Sequence, residues 1–126
     1  MADGALQPSG VAKPAAPFSP VVVSGEMVYT AGQVGHDETG SIVAGGVAEQ
    51  TRRAFENLRL CLEAAECSFE DVVKVNAYLT DLEDFASYND VYRELFHEPY
   101  PARTTVGAAL APGLLVEVEA VARRPS

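Results

Sequence analysis

The sequence predicts an α+β domain: two helices laid on one face of a mixed sheet, in the order β-β-β-α-β-α-β-β. Three observations carry this. Short runs of β-branched and aromatic residues bracket tight turns near both ends of the chain. The apolar period switches to the helical one at Val47 and again after Asp81. Between those two stretches lies one strictly alternating run, "DVVKVNAYLTD".

The elements follow in order. "MADGALQPSGVAKPAAP" is rich in Pro, Ala and Gly and reads as a loose arm, so residues 1–14 are set apart from a single domain over 15–126. In "VVVSGEMVYTAG", strands at Val21–Val23 and Met27–Ala31 flank the reversal Ser24-Gly25-Glu26. "HDETGS" is a second turn, followed by a weak strand at Ile42 and Val43. Val47, Thr51, Ala54, Leu58, Cys61 and Ala65 then recur at steps of four and three, widened by Phe55 and Leu62, which makes one side of an amphipathic helix. In the alternating run, Val73, Val75, Ala77 and Leu79 point one way, and Lys74, Asn76, Tyr78 and Thr80 the other. Asp81 is placed to cap the second helix with Asp84 as its box partner. That helix offers Phe85, Tyr88, Tyr92, Leu95 and Phe96 to a core, and Pro99 and Pro101 end it. Strands at Thr104–Leu110 and Leu115–Ala122 close the chain around "APG". Neither "VVVSG" nor "TTVGAAL" divides cleanly into an apolar and a polar face. The second sheet face is therefore expected to be buried between copies of the chain.

Composition narrows the function classes. The chain has 126 residues, 48% of them hydrophobic, enough for one core but small enough to favour oligomerisation. Its formal net charge of -9 repels long anionic partners, so no nucleic acid is expected. No apolar run approaches the roughly 18 residues of a membrane span, and no secretory leader is visible, which makes a cytoplasmic, reduced protein the expectation. Cys61 and Cys67 form no CxxC, His36 and His97 form no HxxxH or HxH, and no metal site is expected. GxGxxG, GxxxxGK[ST] and GxSxG motifs are all lacking.

Three places could hold chemistry. Arg103 opens an apolar run in "EPYPARTTVGAAL" close to no obvious acidic partner. It is either a surface residue at a strand start or an anchor for a carboxylate, which its planar donor fork suits. Glu117 and Glu119 share a strand face; they are either solvated or one of them holds a water in a cleft. Gly32 and Gly35 in "AGQVG" either serve a turn or let backbone come close to a ligand.

Together "APFSPVVVSGEMVYTAGQVG", "ETGSIVAGGVAEQTRRAFENLRLCLEAA", "DVVKVNAYLTDLEDFASYNDVYRELF" and "YPARTTVGAALAPGLLVEVEAVA" resemble the RidA/YjgF/YER057c/UK114 family over roughly residues 15 to 122. The most specific pieces are the AGQ turn, Q-T-x-x-x-x-x-N-L, D-x-x-x-F-x-x-x-N-x-x-Y, and P-A-R-T followed by V-E-V-E-A. The resemblance implies a chorismate-mutase-like fold and a homotrimer, a barrel of three sheets with clefts between neighbouring chains. It implies hydrolytic deamination of reactive enamine or 2-iminoacid intermediates to 2-oxoacid and ammonia, without a cofactor. The alternatives are a non-catalytic binder of small carboxylates, an enzyme for a larger imine, and a ribonuclease, which the charge opposes.

By the same resemblance Arg103 holds the substrate carboxylate and Glu117 positions the water. Gly32 forms the cleft wall and Asn89 is the helix asparagine of the motif. The chain departs from the family pattern at three further cleft positions: Phe18 stands for the usual tyrosine, Ala31 for the serine and Thr105 for the cysteine. These lie among the expected substrate contacts, so they bear on the choice of substrate.

Overall fold

The computed structural model describes residues 3–125. Its strands are β1 (Gly4–Leu6), β2 (Val21–Ser24), β3 (Met27–Thr30), β4 (Gln33–Val34), β5 (Val72–Leu79), β6 (Ala102–Gly107) and β7 (Val116–Arg123). The helices are α1 (Val47–Ala64) and α2 (Phe85–Leu95). One mixed sheet runs β1-β2-β3-β7-β5-β6, with β4 beside β7; β5 and β6 are parallel and the other pairs antiparallel. Both helices lie on one face, so the α+β class read from the sequence holds.

The core sits between that face and the helices. Ala54, Phe55, Leu58, Cys61 and Leu62 of α1 are fully buried, the stripe read from the sequence. They meet Val75, Ala77, Val116, Val118 and Ala120 from the sheet. Tyr88, Tyr92 and Phe96 close the far end, Tyr92 and Phe96 edge-on to Phe55 and Tyr88 tilted against it, and Tyr92 stacks on Phe96 with ring centroids 4.5 Å apart. Truncating one such buried Leu costs about 2–5 kcal/mol, because neighbours refill the void only in part.

Several local expectations change. The arm is not loose throughout: Gly4–Leu6 adds an edge strand to β2, the Asp3 carboxylate accepts from the Gly25 N–H at 2.9 Å, and Arg53 donates to the Gly10 carbonyl. Ile42 makes only an isolated bridge to His36, and Val43 lies in no strand. The short strand falls instead at Gln33–Val34, inside the stretch read as a cleft turn. A register shift between Val72 and Lys74 buries Val72 and turns Val73 out to 47% exposure, which reverses the facing expected for Val73. Asp81 caps a 3-10 turn, Leu82–Asp84, rather than the helix, and Phe85 is exposed at the start of α2 while Val91 is buried.

The outer sheet face carries Ala5, Val22, Tyr29, Val121, Lys74 and Ala102 in one cross-strand row. Val34, Glu117, Tyr78 and Val106 form another. Val22, Tyr29 and Val106 on this face are 39%, 46% and 42% exposed. Among the described residues no helix is long and apolar enough to cross a membrane.

Candidate functional site

Arg103 is the second residue of β6, the last strand of the sheet, and stands opposite Val75 of β5. Val75 is fully buried beneath the helices, so strand alternation sends Arg103 to the same face. There its guanidinium carbon lies 4.7 Å from the Tyr92 ring centroid, 5.5 Å from Tyr88 and 5.7 Å from Phe85. The rings attract the cation without neutralising it. Among the described residues no carboxylate makes an ion pair with Arg103. With Asn89, Tyr92, Arg93, Tyr100 and Pro101 it lines an open pocket of about 270 Å³. Thr105, two residues on and on the same face, keeps its Oγ1 buried without a hydrogen-bond partner.

Glu117 lies on the other face. It pairs with Tyr78 across β7 and β5 and sits between Val116 and Val118, both fully buried on the helix side. Its half-buried carboxylate rests against Gly32: a Cβ added there would meet Oε2 head on and lie 2.7 Å from Cδ. Only a residue without a side chain lets β7 present the acid this way. Burial, and then the neighbouring Glu119, push the Glu117 carboxyl above its ordinary range. Glu119 itself accepts from the Asn76 side chain at 3.3 Å. Glu117, Gly32, Phe18, Val34, His36 and Leu114 belong to a largely apolar cavity of about 570 Å³. Phe18 is 53% exposed at its edge. Ala31, just before Gly32, is fixed by its N–H donating to the Pro20 carbonyl at 2.8 Å.

The expected site residues thus fall into two groups. Arg103, Thr105 and Asn89 stand on the helix side at the β6 edge. Phe18, Ala31, Gly32 and Glu117 gather around the β3–β4 junction. Arg103 and Glu117 are opposite residues three apart along β5, about 10 Å at roughly 3.3 Å per residue, and project from opposite faces. A single chain does not bring them to one cleft.

The sequence reading assigned no task to Gln50 and Asn57, seven apart on one side of α1. Gln50 is buried; its Nε2 donates to the Gly113 carbonyl at 3.0 Å and its Oε1 accepts from the Leu115 N–H at 2.9 Å. This ties the loop before Glu117 to the helix. The Asn57 side-chain amide donates to the carbonyls of Val34 and His36, anchoring the segment after Gly32. Their spacing of seven, inside an otherwise apolar helix face, was the available signal. The rings around Arg103 were read as core only.

Comparison with known proteins agrees with this architecture. The family model described as Endoribonuclease L-PSP matches residues 10–124. A "RutC family protein" of Pyrococcus abyssi is 47% identical over 87% of this chain and 88% of its own length. A human protein named 2-iminobutanoate/2-iminopropanoate deaminase is 41% identical over 84% of this chain and 79% of its own. The crystal structure of RidA from the Antarctic bacterium Psychrobacter superposes with a TM-score of 0.90 at 39% identity, covering 95% of this chain and 98% of that one. A near-full match to the family model, a fold shared at this level and the motifs around Arg103 and Glu117 lead to one assignment: this chain is a member of the RidA/YjgF/YER057c/UK114 family.

Proposed function

We propose that the protein is a hydrolytic deaminase of reactive enamine and 2-iminoacid intermediates, acting as a homotrimer whose sites lie between copies. One observation carries this reading. Arg103 is a half-buried cation without an anionic partner among the described residues, Glu117 is a half-buried acid pressed on a glycine, and the two leave opposite faces of one sheet. A second copy docked on the outer face brings the Glu117 of one chain toward the Arg103 edge of the next. The exposed Val22, Tyr29 and Val106 on that face support such docking.

In this arrangement Arg103 takes both carboxylate oxygens of the substrate through its donor fork. The imine carbon then stands before Glu117 of the neighbouring copy. The Glu117 carboxylate accepts a proton from a water as that water's oxygen bonds to the imine carbon. That proton passes to the nitrogen and gives a carbinolamine; the carbinolamine hydroxyl then gives up its proton, relayed to the same nitrogen by the Glu117 carboxylate, as its oxygen forms the C=O bond, the C–N bond breaks, and ammonia and a 2-oxoacid leave. A carboxyl pushed upward by burial is the stronger base for this step. Thr105 and Asn89 flank the carboxylate end, and Phe18, Ala31 and Gly32 flank the reacting end.

A larger imine is the second reading, favoured by the apolar cavity beside Glu117 and by the phenyl ring of Phe18 at its edge. The net charge of -9 opposes ribonuclease action. The experiment is a panel of iminoacids generated in place by an amino-acid oxidase, with 2-oxoacid and ammonia measured with and without the protein. Faster release, lost in Arg103→Ala, supports deamination. Binding of 2-oxoacids with no acceleration of any imine would leave a carboxylate-binding module instead.

A further inference from the structure

We infer that Tyr92, together with Phe85 and Tyr88, is a positioning residue: the three rings hold the Arg103 guanidinium oriented, with its donors unpaired, for an incoming carboxylate. This rests on the proposed deaminase reading for its ligand, but not for its geometry.

An unpaired cation in a half-buried place is costly. Such a group ordinarily recruits a carboxylate. This chain has 18 Asp and Glu against 9 Lys and Arg, so acids are abundant. Arg52, Arg53, Arg59, Arg93 and Arg123 all take one. Among the described residues Arg103 takes none and lies against three aromatic rings instead. A π-face attracts a guanidinium through its quadrupole while leaving the N–H donors at the rim of the cation unused. A carboxylate partner would have consumed those donors.

The rings are themselves rigid. Tyr92 packs on Phe96 and against Phe55, and Tyr88 is fully buried against Phe55 and Tyr92. The hydroxyls of Tyr88 and Tyr92 are buried with no hydrogen-bond partner. A core choosing only for stability would favour phenylalanine at such places, because an unpaired buried hydroxyl is costly. The Arg103 charge favours the ionised form of both phenols, against the larger effect of burial. The cation and the two tyrosines therefore form one electrostatic unit, and its open side is the pocket shared by Tyr92, Asn89 and Arg103.

The test has two readouts on the full-length protein. The first is the NMR resonance of the Arg103 Nε–H, which three nearby rings should displace by ring currents. The second is binding of 2-oxobutanoate by calorimetry, with KM and kcat for the imine of 2-aminobutanoate. Tyr92→Leu should remove most of the displacement and weaken 2-oxobutanoate about tenfold, with the loss in KM rather than kcat. Phe85→Leu, at an exposed position that does not endanger folding, should act in the same direction by about two- to threefold. Tyr92→Phe, which returns the ring, should restore the affinity lost in Tyr92→Leu. Phe55→Leu loosens the same aromatic cluster without touching Arg103, acts on the guanidinium only through the rings, and should cost clearly less affinity than Tyr92→Leu. A wild-type Arg103 resonance at its unstructured position overturns the inference. So does an equal loss of affinity in Phe55→Leu, or none in Tyr92→Leu and Phe85→Leu. A wild-type protein that neither binds 2-oxobutanoate nor hydrolyses the imine refutes the deaminase reading, while a ring-shifted resonance lost in Tyr92→Leu still upholds the cage.

Discussion

Gly32→Ala isolates the role of Glu117 without touching Glu117. The added methyl would lie 2.7 Å from the carboxylate Cδ and 2.9 Å from Cγ, with Oε2 closer still. Ordinary contact needs about 3.5–4.0 Å, so the carboxylate must retreat by roughly an ångström. The atoms in the way are the end of a side chain, so the fold should survive with a loss of about 1 kcal/mol or less. Catalysis is less forgiving, because an ångström of misplacement in a reacting group costs about 10²-fold. We expect kcat for an in-place-generated iminoacid to fall about 100-fold while 2-oxoacid affinity, set by Arg103 of the other chain, changes little. The assay follows 2-oxoacid release at saturating imine, with calorimetry for binding. Wild-type kcat in a folded Gly32→Ala protein would refute the placement of Glu117 at the reacting carbon.

Other outcomes follow from the same geometry. Because burial raises the Glu117 pKa, its ionised form is disfavoured in the fold; the resulting destabilisation builds up as pH rises from the ordinary 4.5 to the raised value, is complete above it and is absent well below 4.5. Glu117→Gln should therefore abolish turnover yet raise Tm at neutral pH, a gain that disappears in acid; an equal Tm shift at all pH values would contradict it. Gln50→Ala strips the partners of Gly113 and Leu115 and should cost about 1–3 kcal/mol in denaturant unfolding. Cys61 is fully buried, with its thiol pushed up to about 12, so it should resist alkylation in the folded protein and react only after unfolding. Rapid native-state labelling of Cys61 by iodoacetamide would count against the α1 packing.

The sequence showed α1 and β7 well because each carries one strong period: a stripe from Ala54 to Leu62, and Val116, Val118, Ala120 and Ala122 in strict alternation. Arg103 stood out as the one charged residue of its strand, whereas Glu117 was set apart from Glu119, two positions on in the same strand, only by the family resemblance. The faces they leave from could not be read, since these depend on the cross-strand register with β5. The bulge at Val73 shows how one extra residue overturns a facing argument. β1 escaped notice because Gly4–Leu6 has no strand-like composition and exists by pairing with β2. The cage around Arg103 was hidden for a related reason: Tyr88 and Tyr92 sit at core spacing on α2, and nothing local says that an arginine from β6 lies beneath them.

The central claim is that one chain supplies Arg103 and another supplies Glu117. Mixing tests it most directly. Arg103→Ala and Glu117→Gln proteins, each inactive alone, would be unfolded together, refolded in equal amounts and assayed with the same imine. In a cyclic trimer, random assembly leaves about a quarter of the interfaces with both residues intact, so the account predicts recovery of about 25% of wild-type activity. A mixture no more active than its two components would show that both residues act from the same chain, or that neither acts as described.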